Sequence, residues 1–254
     1  MSELKALIFD VDGTLAETER DAHRVAFNET FAAYQLDWHW SETLYGDLLA
    51  VTGGKERIKF YLDHYQPDYP RPADLTEFIS ALHQDKTKRY NTLIAEQKLP
   101  LRPGVQRLLI QAQQMGLRLA IATTTSYQNV ATLLTNSLDP QAMSWFEVVA
   151  AGDVVTAKKP AADIYHYALK VLDLRAHYCI ALEDSANGLK SALGANLCTV
   201  ITVNDYTQHE DFSAACLVVD HLGEPEQPST VLHGTLGTQQ YVDVTLLQHL
   251  LEQR

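Results

Sequence analysis

Basic residues are scarce in this chain of 254: 20 lysines and arginines face 32 aspartates and glutamates, a formal charge of -12 with histidine neutral. That balance repels polyanions, so nucleic acid is excluded as a partner class. Cysteine is scarcer still. Cys179, Cys198 and Cys216 are odd in number and lack any Cys-x-x-Cys spacing, and two lie within apolar runs. This rules out a disulfide framework and suits buried thiols in a reducing compartment. No apolar run approaches the roughly 20 residues that a membrane helix needs, so a membrane partner is excluded too. Met1 to Lys5 lacks the basic and apolar regions of a secretory leader. The expectation is a monomer in the cytoplasm, or in a plastid stroma if a transit peptide has been removed. A dinucleotide-binding turn is absent as well, because no Gly-x-Gly-x-x-Gly follows the first apolar run.

What is present is a core-forming composition, 46% hydrophobic and 20% charged, in a chain long enough for one large domain or a core with an inserted unit. Leu4 to Phe9 reads as a buried strand running into the polar turn Asp10-Val11-Asp12-Gly13-Thr14. Ala22, Val25, Ala26, Phe27, Thr30 and Phe31 then recur at helical spacing, and helical patterns at Glu56 to Asp63 and Leu75 to Ile94 follow with no strong strand between them. After Pro100 to Gly104 the patterns alternate. Strands are predicted at Leu117 to Thr123, Trp145 to Ala150, Tyr178 to Leu182 and Leu197 to Val203. Helices are predicted at Gly104 to Met115, Tyr127 to Asn136, Ala162 to Leu172 and Ser185 to Gly194. Alternation of this kind predicts an α/β fold, a doubly wound parallel sheet with helices on both faces. The helical block is then an insertion after the first strand, giving a core of residues 1–16 and 97–254 and a helical cap of residues 17–96. Gly223 to Gly237, rich in Pro, Gly, Ser and Thr, reads as a loop before a last helix from Val244 to Leu251.

In such a sheet the loops at the carboxyl ends of the strands converge on one crevice. That places Asp10 and Asp12 beside Thr123, Thr124 and Thr125, Lys158 and Lys159, and Glu183 and Asp184. Several carboxylates in one crevice repel one another unless a cation neutralises them, and a hard divalent ion such as Mg2+ suits oxygen ligands. A carboxylate can attack phosphorus, and lysine and threonine suit phosphoryl oxygens. Each piece also has a plainer reading. Asp-x-Asp-Gly is often a turn, Thr123 to Ser126 and Glu183-Asp184-Ser185 suit helix starts, and Lys158-Lys159-Pro160 suits a solvated turn. Their agreement on one crevice favours the chemical reading.

Taken together, Asp10-Val11-Asp12-Gly13-Thr14, Thr123, Lys159-Pro160 and Glu183-Asp184-Ser185 resemble the four motifs of the haloacid dehalogenase-like phosphohydrolases, in order, spacing and strand context. The resemblance implies that Asp10 is the nucleophile and Asp12 the general acid and base. It implies that Thr123 and Lys159 hold the phosphoryl oxygens, with Lys158 the alternative lysine. Mg2+ would be bound by Asp10, Asp184 and the Asp12 carbonyl, with Glu183 assisting. Asp10 would be ionised and Asp12 able to carry a proton, their environments separating them. Gly13 would permit the tight turn that aims Asp12.

Gly53-Gly54-Lys55-Glu56-Arg57 opens a helix, where free backbone N–H groups and Lys55 could grip an anion; an ordinary helix start is the alternative. Together with Trp40, Glu42, Tyr45, His83, Lys86, Tyr90 and Ala122-Thr123-Thr124-Thr125-Ser126, this run resembles CbbY-type proteins, which remove one phosphate from xylulose-1,5-bisphosphate. The resemblance implies a small phosphorylated sugar as partner, contacted by Glu17, His23, Tyr45, Gly53, Gly54, Lys55, Arg57, Lys86, Thr124 and Thr125. A β-phosphoglucomutase-like mutase shares the same catalytic set and stays open. Ala161-Ala162-Asp163 and the late position of Asn129 depart from the mutase pattern. A catalytically silent binding module is the remaining alternative, and the intact Asp10, Asp12, Lys159 and Asp184 argue against it.

Overall fold

Ala6–Phe9 carries no polar side chain and is buried at every position in a computed structural model of the protein, which describes residues 3–97 and 99–253. Met1 and Ser2, the start of the segment read for a leader, lie outside the described residues. A strand with nothing polar on either face belongs inside a sheet covered on both sides. This strand, β1, sits between β2 (Arg118–Ala122) and β4 (Cys179–Glu183), parallel to both. With β3 (Phe146–Ala150), β5 (Cys198–Thr202), β6 (Leu217–Val219) and β7 (Val231–His233) the sheet runs in the order β3-β2-β1-β4-β5-β6-β7. Among the strands of this sheet in the described residues, only the β6–β7 pair is antiparallel. The segment expected to be a loop from Gly223 to Gly237 therefore contains a strand. β7 is three residues long and exposed throughout, so no apolar pattern marks it, and its pairing with β6 supplies the order that its own side chains do not.

Helices α1 (Arg24–Ala33), α2 (Glu42–Leu48), α3 (Gly54–Tyr65) and α4 (Leu75–Gln97) all fall between β1 and β2, preceded by a π-helical turn at Glu19–His23. They have a core of their own, dense in aromatic rings. Trp40 lies 4.6 Å from Phe27, 4.9 Å from Phe31 and 5.4 Å from Tyr61, centroid to centroid. Rings of this size supply the buried area that short helices need. The other helices cover the sheet. Helices α5 (Val105–Gln114), α6 (Tyr127–Ser137) and α9 (Val244–Glu252) pack on the Leu7 and Phe9 face; α7 (Asp163–Leu172) and part of α8 (Ala186–Gly194) cover the Ala6 and Ile8 face. The insert joins the core through two adjacent strands of chain, where Arg102 N donates to Leu15 O at 2.8 Å.

Candidate active site

The strand ends place the acidic cluster. Asp10 N donates to Leu182 O and Thr123 N to Ala150 O, each at 2.9 Å, so the chain is still tied to its neighbour as it enters the crevice. Asp10, Glu183 and Asp184 are buried, with one carboxylate oxygen of each within 4.8 Å of the others. Lys159 Nζ donates to Asp10 Oδ1 and Glu183 Oε1 at 2.6 Å and to Ala122 O at 2.9 Å. The Tyr165 hydroxyl donates to the same Glu183 oxygen at 2.5 Å. Asp184 Oδ2 accepts from Asn204 Nδ2 at 2.8 Å. Gly13 has φ +86°, and a Cβ there would fall 2.2 Å from Asp184 Oδ2, so the turn needs glycine for both conformation and space.

Three buried carboxylates around one ammonium leave negative charge unmatched. Burial pushes Asp10 up, Lys159 opposes it and Glu183 adds to it, leaving Asp10 at about 7. Burial, with Asp10 and Glu183 close by, raises Asp184 well above the carboxylate range. An all-oxygen, over-charged cluster of this kind fits a hard divalent cation.

Asp12 faces away from that cluster. Its Oδ1 accepts from Thr18 Oγ1 at 2.5 Å and lies 2.9 Å from His23 Nε2. His23 stacks on Tyr90 at 4.2 Å, and its Nδ1 lies 2.5 Å from Lys86 Nζ. An ammonium only donates, so Nδ1 accepts, and the ring proton sits on Nε2 and is given to Asp12. Burial alone would raise Asp12, but His23, Thr18 and Lys86 outweigh it and hold the carboxyl at about 2. The expectation is Asp10 ionised beside Mg2+ and Asp12 able to carry a proton. The protein's own groups alone hold Asp10 high, because it shares the Lys159 ammonium with Glu183, and Asp12 low, because His23 and Thr18 donate to it. The expected ionised Asp10 therefore calls for a cation in the acidic cluster.

Two cavities meet between core and insert, and both are lined by Asp12, Glu19, Arg57 and Thr124. One, of about 360 Å³, holds Asp10, Thr123, Lys159 and Asp184 on its wall. The other, of about 300 Å³, holds Gly53, Gly54, Lys55, His23, Lys86 and Thr125. Gly53 has φ +98° at the entry to α3, and a Cβ on Gly54 would fall 2.6 Å from the His83 ring. Lys55 Nζ reaches across to Asp153 Oδ2 at 2.9 Å.

The sequence profile of the haloacid dehalogenase-like hydrolases matches residues 4–196. The chain belongs to the haloacid dehalogenase-like hydrolases. Within that family it is a phosphatase of the CbbY type. It is 48% identical to protein CbbY of Cereibacter sphaeroides over 87% of this chain and 94% of that one. Its structure resembles that of CbbY from Rhodobacter sphaeroides in complex with phosphate, with a TM-score of 0.79 at 47% identity over 86% of this chain and 94% of that one. An aspartate-to-asparagine variant of the Rhodobacter sphaeroides protein, in complex with xylulose-1,5-bisphosphate, matches at 46% identity with the same TM-score and coverage. Among the described residues, no helix is long and apolar enough to cross a membrane.

Two of the residues singled out in this CbbY-type phosphatase stand off the cavity walls. Glu17 lies at the hinge, its Oε1 2.9 Å from Arg102 Nε; the acid on the wall is Glu19, two residues on. Tyr45 is fully buried, donating to Glu19 Oε2 at 2.5 Å and accepting from Arg57 Nη1 at 2.8 Å, so it acts on the cavity through those two side chains. The tandem lysines are separated: Lys159 joins the carboxylates, and Lys158 Nζ goes to Asp153 Oδ1 at 2.7 Å. Glu19, Tyr165, Asn204 and Arg102 went unnoticed in the sequence. Only Glu19 carried a signal, as an acid at the start of a helical pattern one turn before His23.

Proposed function

We propose that this chain is a Mg2+-dependent phosphatase that converts xylulose-1,5-bisphosphate to xylulose-5-phosphate through an aspartyl-phosphate intermediate. The observation that carries the reading is the pair of cavities meeting at Asp12: one is walled by the carboxylate and Lys159 cluster, the other by the Gly53-Gly54-Lys55 turn. A sugar carrying a phosphate at each end has one anion for each. The CbbY relatives, and the bisphosphate complex of one of them, support the same choice.

Asp10 attacks phosphorus, forming the carboxylate–phosphorus bond as the bond to the sugar oxygen breaks, and Asp12 gives its proton to that oxygen. A water then attacks phosphorus, its proton passes to Asp12, and the bond to Asp10 breaks to release inorganic phosphate. Lys159, Thr123 and Thr124 line the place where phosphoryl charge is held. Asp10 and Asp184, with Glu183 behind them, would hold Mg2+, which when bound supplies Lewis-acid stabilisation of the phosphoryl oxygens. Arrival of the anionic phosphoryl group beside Asp12 raises its proton affinity from the low value set by His23, which equips it as the acid. Binding of the distal phosphate by Lys55 and the start of α3 holds the insert closed over the reacting group.

The test is phosphate release in the presence of Mg2+ from xylulose-1,5-bisphosphate, ribulose-1,5-bisphosphate, β-glucose-1-phosphate and a small aryl phosphate. The expected result is the highest kcat/KM on the first, abolished in Asp10→Asn. Conversion of β-glucose-1-phosphate to the 6-phosphate with little release would replace this reading with a mutase.

A further inference from the structure

Lys158 and Lys159 are neighbours in sequence but serve different cavities. Lys159 Nζ is enclosed by Asp10, Glu183 and Ala122 O. Lys158 Nζ points to the other side, donating to Gly152 O at 2.5 Å and Asp153 Oδ1 at 2.7 Å, and it lines the cavity of about 300 Å³. A solvated turn would leave this side chain in water, yet it is 13% exposed. From the insert, Lys55 Nζ donates to the second oxygen of the same Asp153 carboxylate at 2.9 Å. One carboxylate therefore bridges a core lysine and a cap lysine across the seam. An anion with several oxygens takes this arrangement between two ammonium groups. The Asp153 side chain is 68% exposed, so its pairs are weak ones that a more highly charged anion can displace.

We propose that Lys158 and Lys55 grip the distal phosphate from opposite sides, with Asp153 holding both ammonium groups in place until that phosphate arrives. The inference rests on the bisphosphate reading above and adds a core residue to a site otherwise built by the cap. Selection of a second phosphate then depends on cap and core together, because the two ammonium groups share one anion only when the cap is seated. It also gives the tandem a division of labour, one lysine for the phosphate that is transferred and one for the phosphate that stays.

The test compares the parent with Lys158→Gln on xylulose-1,5-bisphosphate and on a small aryl phosphate. Lys170→Gln, at an exposed position of α7, is the charge-matched control. The expected result is a fall of at least about ten-fold in the ratio of kcat/KM between the two substrates, carried by KM, with Lys170→Gln within about two-fold of the parent ratio. A Lys158→Gln ratio within about two-fold of the parent, or an equal fall in Lys170→Gln, overturns the grip while leaving the substrate reading intact. A parent with no preference for the bisphosphate overturns the substrate reading, and the grip with it.

Discussion

His23 gives its Nε2 proton to Asp12 Oδ1 at 2.9 Å while its Nδ1 faces Lys86 Nζ at 2.5 Å, so an ammonium on α4 fixes the orientation of a carboxylate at the end of β1 through one imidazole. Tyr90, stacked on that ring, prevents it from turning. The consequence is that Asp12, the proposed acid–base group, is held partly by the insert. Replacing His23 by Ala is expected to lower kcat by about 10–100-fold and to change KM by no more than about two-fold, because orientation of the proton donor is lost while phosphate binding is kept. Steady-state phosphate release measures both, and an unchanged kcat would remove His23 from the acid–base step.

The parallel strands were legible because burial on both faces leaves apolar runs such as Ala6–Phe9 and residues 119–122, and the crevice was legible because strand ends converge whatever the loops do. At Thr123 to Ser126 and Glu183 to Ser185 the helix-start reading and the crevice reading are compatible. Ser126 and Ser185 are the helix caps, accepting from Asn129 N at 3.2 Å and Gly188 N at 3.1 Å, and this leaves Thr123, Glu183 and Asp184 for the crevice. The residues that stayed hidden act through the fold. Tyr165 reaches Glu183 from a helix on another layer, and Asn204 reaches Asp184 from the loop after β5. Arg102 reads as a surface arginine until the hinge folds over it. Glu42–Leu48 escaped because a seven-residue helix interrupted by Gly46 has too few turns to show a period.

His83 makes the insert sensitive to acid. Its ring lies against the start of α3, and burial, with Lys86 and Lys55 nearby, lowers its pKa to about 3. Unfolded, a histidine titrates near 6.5, so between those values the unfolded chain binds the extra proton. This contribution to stability is complete above about pH 6.5 and is lost as pH falls toward 3. The parent is therefore expected to lose about 2 kcal/mol relative to His83→Gln between pH 7 and pH 5. Urea unfolding at both values checks it, and a difference that does not vary with pH would clear His83 of this role.

Arg102 is the other hidden support. Its Nη1 donates to the carbonyl of Gly13 and, at 3.0 Å, to Thr202 O and Thr202 Oγ1; Nη2 donates to Asp220 O at 2.7 Å and to Val203 O. One buried guanidinium thus ties together the chain leaving β1, β5 and β6, and Nε adds Glu17 at the hinge. Arg102→Met keeps much of the volume but strips the donors from several carbonyls at once, and a loss of about 3–5 kcal/mol is expected. Arg102→Lys should recover less than half of it, because an ammonium is a single point of charge and cannot span carbonyls from three strand ends. Denaturant unfolding of both variants provides the measurement. A Met variant within about 1 kcal/mol of the parent would mean that these carbonyls find other donors without cost. If instead the loss appears in full, the carbonyl of Gly13, next to the proposed acid Asp12, is held by a residue far along the chain.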